Sequence, residues 1–110
     1  MKFIAKRIDL EIEVETLSGE TKIFKTAPMN AESASLLLDK MIADEKAFVT
    51  DVDDIDKGNA WQKASVFMDD FLSAVYNTEK GYWKANFDIG TMKEIKTFIF
   101  NELSAARKNA

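Results

Sequence analysis

The stretch WQKASVFMDDFLSAVYNTEKGYWKANFDIGTMKEIKTFIFNEL, residues 61–103, decides the fold of this 110-residue chain. It holds nine of the twelve aromatic residues: Trp61, Phe67, Phe71, Tyr76, Tyr82, Trp83, Phe87, Phe98 and Phe100. Large rings supply most of the apolar area in a small core, at roughly 25 cal/mol per Å² removed from water. Trp61, Ala64, Phe67, Met68, Phe71, Leu72, Val75 and Tyr76 recur at helical spacing, with Gln62, Lys63, Ser65, Asp69, Asp70 and Ser73 on a solvated side. A second helix opens at Thr91, where Thr91-Met92-Lys93-Glu94 reads as a capping box. Met92, Ile95, Phe98, Ile99 and Leu103 then share a face, and Arg107 and Lys108 stand at the end that favours cations. Phe71 and Phe98 lie mid-face on their helices and are expected in the core.

Between the two helices, Asn77-Thr78-Glu79-Lys80-Gly81 has turn chemistry and Tyr82 to Phe87 reads as a single helical turn. Adjacent large rings cannot both point inward on so short a helix. One of Tyr82 and Trp83 is therefore expected to be partly exposed, as interface anchors often are.

Towards the start of the chain, Ile8, Leu10, Ile12 and Val14 alternate with Asp9, Glu11, Glu13 and Glu15. That period of two predicts a half-buried strand with a solvated acidic face. Ser18-Gly19 supplies a turn, and Thr21 to Ala27 the returning strand, ended by Pro28. A two-residue loop pairs Val14 with Ile23 and Glu15 with Lys22. A three-residue loop pairs Val14 with Phe24 and Glu13 with Lys25. Both registers are reasonable. Asn30 then caps a helix through Ala31, Ala34, Leu37, Leu38, Met41 and Ile42 that stops near Lys46. The expected whole is one α+β domain, an N-terminal β-hairpin followed by three main helices and a short helical turn. Its parts are a hairpin region (1–29), a first helix (30–47), an acidic connection (48–59) with Asn59 as the next N-cap, and an aromatic-rich helical part (60–108).

The composition excludes several function classes. Net charge is −4 and the pI about 4.8, a poor match for phosphate backbones, so no nucleic-acid partner is expected. No apolar run approaches a membrane span, and MKFIAKRIDLEIEV has charges where a signal peptide needs an apolar centre, which predicts a cytoplasmic protein. Histidine and cysteine are both absent, which removes the commonest general base, metal ligand and nucleophile pairs. Asp51, Asp53, Asp54 and Asp56 suggest calcium, but an EF-hand begun at Asp51 fails at Ile55, Asp56 and Gln62. Asp69 and Asp70 are adjacent and point about 100° apart on a helix, so they are read as a polar coat. Met29, Met41, Met68 and Met92 are read as core filling. No enzyme activity, no cofactor and no metal are expected.

Phe71-Leu72-Ser73-Ala74-Val75-Tyr76, followed by Tyr82-Trp83-Lys84-Ala85-Asn86-Phe87-Asp88-Ile89-Gly90-Thr91-Met92-Lys93-Glu94-Ile95, resembles the tail assembly chaperones of long-tailed bacteriophages. The likeness covers about the last third of the chain. It implies a non-enzymatic phage protein of the bacterial host cytoplasm that binds and holds the tape-measure protein and the tail-tube protein during tail assembly. Tyr82, Trp83, Phe87 and Asp88 fall in the matching motif and are the implied partner-binding residues. Self-association is open, because a two-stranded hairpin must pack on helices or find another strand. The alternatives are a structural phage tail or head–tail connector component, and a small acidic regulatory binding module.

Overall fold

The structure, a computed structural model, describes residues 1–5, 7–53 and 57–108. An antiparallel hairpin of β1 (Ile12–Glu15) and β2 (Thr21–Phe24) leads into α1 (Ala31–Asp53), α2 (Lys57–Tyr76), the short α3 (Tyr82–Asn86) and α4 (Ile89–Lys108). The chain is thus α+β, with the expected hairpin, three long helices and one helical turn.

Alternation in the first strand turns Leu10, Val14 and Thr16 inward and leaves Asp9, Glu11, Glu13 and Glu15 exposed. The register is neither of the two that the sequence suggests: Val14 pairs with Lys22 and Ile12 with Phe24. The turn sets this. Gly19 N–H bonds the Thr16 carbonyl, Thr16 N–H bonds the Glu20 carbonyl, and Gly19 sits at φ 87°. A three-residue loop ending in a left-handed residue is a bulged hairpin closure, and glycine adopts that conformation without a Cβ penalty. Phe24 consequently faces inward and Ile23 outward, 63% exposed; a one-residue slip would exchange them. The ladder is also shorter than the alternation implies. Ile8 pairs with Met29 in a separate bridge, and the returning strand has one more residue than its partner between the two pairings. Pro28, without an N–H, lies in that bulge, and the Leu10 N–H bonds Thr26 Oγ1 there at 3.2 Å.

Asn30 caps α1 as expected, its Oδ1 accepting the Ser33 N–H at 2.9 Å. The helix does not stop near Lys46, however, but continues to Asp53. Phe48 stacks on Phe67 of α2 with ring centroids 4.6 Å apart, and such packing, more than propensity, keeps a helix going. Most of the supposed connection 48–59 is therefore helical. Asn59 lies inside the first turn of α2 rather than ahead of it. Asp54, Ile55 and Asp56 lie outside the described residues.

The start of α4 needs a similar correction. Asp88, not Thr91, is the residue ahead of the helix, and its carboxylate accepts both the hydroxyl and the backbone N–H of Thr91. Met92 N–H bonds the Asp88 carbonyl, which closes the first turn earlier than a Thr91 cap would.

The core is one cluster in which Leu10, Leu72, Trp83, Met92, Ile99 and Leu103 are fully buried. Met41, Met68 and Met92 fill it, and Phe71 belongs to it, all as the spacing predicts. Two expected members do not. Trp61 is 69% exposed, because the fully buried part of α2 begins only at Met68 and the first turns run past the core. Phe98 is 37% exposed at the flank of the buried Met92, Ile95, Ile99 and Leu103 row. α1 and α4 run antiparallel, tied near their middles by Lys96 to Glu45 at 2.7 Å and near the end of α4 by Arg107 to Asp39 and the Ser35 carbonyl. Among the described residues no helix is long and apolar enough to cross a membrane.

Candidate functional site

The motif residues Tyr82, Trp83, Phe87 and Asp88 gather around α3, and a single carboxylate explains how. A five-residue helix exposes as many orphan N–H groups as a long one, and its N-cap Gly81, at φ 91°, has no side chain to bond them. Asp69 of α2 takes that part from across the fold. Its Oδ2 accepts the Gly81 N–H at 2.7 Å, and its Oδ1 accepts those of Trp83 at 2.8 Å and Lys84 at 3.0 Å. Asp69 is 2% exposed, so it is not the polar coat that its neighbour Asp70 suggests. Ser73 Oγ bonds the Glu79 carbonyl, and the Trp83 indole N–H bonds Thr78 Oγ1, so the whole turn is pinned to α2.

Trp83 is completely buried, its ring 4.9 Å from Phe24, 5.0 Å from Phe87 and 5.8 Å from Tyr76. Phe87 is also buried. Tyr82 is the partly buried member of the pair, edge-on to Trp83, and its hydroxyl is enclosed without a partner among the described residues. Asp88 is exposed, and the Thr91 hydroxyl, then the Thr91 N–H, hold its carboxyl below the usual carboxylate range. Of the four, Trp83 and Phe87 shape the fold, Tyr82 packs on it with part of its ring accessible, and Asp88 presents surface.

The larger accessible feature lies elsewhere. α1 and α2 touch each other less than either touches α4, and an open cleft of about 900 Å³ lies between residues 44–48 of α1 and 62–70 of α2. The stacked Phe48 and Phe67 rings lie in it, flanked by Ala47 and the 45%-exposed Val66, with Asp44 and Asp70 at its rim. Lys96 of α4 stands 5.4 Å from the Phe67 ring centroid while paired to Glu45, which steadies the ring from behind. An aromatic floor with a polar rim suits the apolar stripe of an amphipathic helix.

The sequence conceals this cleft. Phe48 falls in a run of acidic residues that reads as a connection, although Met41, Asp44 or Glu45, and Phe48 do keep helical spacing. Asp69 gives no local signal, since its partners lie beyond a turn.

Among the described residues no group of three or more acidic side chains is arranged to hold a metal ion. Comparison with family models, with curated proteins and with solved structures produced no match. The class defined by fold and site is a small α+β protein with a pinned aromatic core and an apolar cleft between two projecting helices.

Proposed function

We propose that the chain is a non-enzymatic, cytoplasmic holding protein of the phage tail assembly chaperone kind. It binds and holds apolar helical segments of a tape-measure protein, and the tail-tube protein, during tail assembly. The observation that carries the reading is the cleft between α1 and α2. Its stacked Phe48 and Phe67 floor and exposed Val66 offer apolar area to a helix, while the fully buried core residues lie away from it. The resemblance of residues 71–76 and 82–95 to that family supplies the identity of the partners. Holding requires surface and no bound cofactor, in keeping with a chain that lacks His and Cys.

Co-expression with the tape-measure protein of the same genome tests this. The wild-type chain should keep that protein soluble and co-purify with it. Val66→Asp, an exposed change in the cleft, should weaken binding by about thirtyfold, the equivalent of a 2 kcal/mol hot spot, with unchanged helicity. Failure of the wild type to bind either the tape-measure or the tail-tube protein refutes the reading. Mass spectrometry of purified virions separates the rival: a chaperone is absent, whereas a tail or connector component is present.

A further inference from the structure

The hairpin packs its inner face on the helices through Val14 and Phe24, but its sheet has only two strands, so among the described residues no further strand pairs with either edge. The Thr16 to Glu20 bond fixes which backbone groups face outward. Even-numbered residues of β1 and β2 bond within the hairpin, so Glu11, Glu13 and Glu15 on one edge, and Thr21, Ile23 and Lys25 on the other, direct N–H and C=O away from it. Such a pair of strands is marginal by itself, and its unpaired edges are templates for another strand.

The two edges differ in charge. A second copy laid antiparallel on β1 would set Glu13 opposite Glu13 and Glu11 opposite Glu15. Like charges directly opposite destabilise a sheet, so β1 is a guarded edge. β2 carries no such guard. Its central outward residue is Ile23, exposed despite a strand-forming, β-branched side chain. A two-fold axis through Ile23 pairs it with itself and sets Thr21 opposite Lys25, with no like charges facing each other on that side of the sheet. Continued by one pair beyond Ile12 and Phe24, the same register would set Glu11 beside Lys25 of its own hairpin.

We propose that two copies of this chain associate through β2, forming a four-stranded antiparallel sheet in the order β1-β2-β2-β1. Every outward group of Thr21, Ile23 and Lys25 then gains a partner, and the two Ile23 side chains cover each other. The acidic edges end the sheet on both sides and stop further growth, so the product is a closed dimer rather than a fibre. The α1–α2 cleft is not used by this contact.

Sedimentation equilibrium on the full chain is the test. The expected result is concentration-dependent association towards twice the 12.4 kDa chain mass. Ile23→Pro, tolerable because the lost N–H faces away from β1, should raise the dissociation constant by at least about tenfold. Ile23→Lys pairs with Glu13 within its own hairpin but opposes itself across the axis, so it should be monomeric with wild-type circular dichroism. Mixing Ile23→Lys with Ile23→Glu should restore a dimer. A wild-type monomer at about 300 µM, weaker than any useful contact, overturns the proposal. So does a dimer that both Ile23→Pro and Ile23→Lys leave intact.

Discussion

Removing the Asp69 carboxylate should be among the most damaging single changes in the molecule, although the residue reads as surface. Asp69→Ala would leave the N–H groups of Gly81, Trp83 and Lys84 without their acceptor. Hydrogen bonds to a charged group contribute about 1.5–3 kcal/mol, and a buried donor left unpaired costs about 1–3 kcal/mol. The Trp83 bond is wholly buried and the other two partly so. Two of the three can recover some solvation if α3 frays, and the sum comes to roughly 3–5 kcal/mol. That is a large share of the 5–15 kcal/mol typical of a domain, and corresponds to a fall in Tm of roughly 12–30 °C.

Asp69→Asn is the sharper test of the geometry. Its amide oxygen can still accept from Trp83 and Lys84, but its NH₂ would face the Gly81 N–H, donor against donor. Its loss should be intermediate, about 1–3 kcal/mol. Asp70→Ala, one residue along and exposed, should stay within about 0.5 kcal/mol of wild type. Thermal and urea denaturation, followed by Trp fluorescence, measures all three. If Asp69→Ala and Asp70→Ala denature together, the cross-fold cap contributes nothing and the reasoning is refuted.

Phe71→Ala should cost about 3–5 kcal/mol, as for other buried rings, whereas Phe98→Ala should cost about 1 kcal/mol or less; equal midpoints in urea would contradict the burial difference. Tyr76 donates its hydroxyl hydrogen to the Leu10 carbonyl at 2.8 Å, and burial, then the negative charge of Asp9, pushes its pKa above the ordinary value. The neutral phenol is thus the folded form: its contribution is complete below about pH 10 and is lost as the pH rises beyond it, so alkaline Tm should fall less steeply in Tyr76→Phe. For Asp88 the sign is opposite. Its depressed pKa stabilises the fold above the usual carboxylate range and is lost on acidification below about pH 4, so Asp88→Asn, still able to cap, should show a flatter acid profile.

How far the sequence reveals the fold depends on how local each determinant is. Asn30 is legible because its acceptor and the Ser33 N–H are three residues apart, and the Met92, Ile95, Ile99 and Leu103 stripe because helix periodicity is a property of neighbours. The hairpin faces follow from alternation, but the register depends on a left-handed Gly19 that composition alone does not place. Asp88 and Thr91 offer competing caps within one turn, and the earlier one prevails because Ile89 is already helical. Asp69 and Phe48 are different in kind. Each acts on a residue in another element, and nothing in the pattern around its own position shows that partner.

The same distinction bears on where a partner can bind. Alanine substitution of a motif ring is uninformative about binding when the ring is Trp83 or Phe87, since removing either opens the core between the hairpin and α2. Interpretable positions are those that are apolar, exposed and remote from that core: Trp61 and Val66 on α2, Val49 on α1. These cluster on the two helices that outrun the core, and burial there gives the fold little. Exposed apolar side chains that are not needed for folding can be committed to a partner without a loss of stability. The aromatic-rich stretch therefore has two roles divided by position: from Met68 onward it builds the fold, and before Met68 Ala64 and Phe67 pack on that fold while Trp61 and Val66 are exposed for contact.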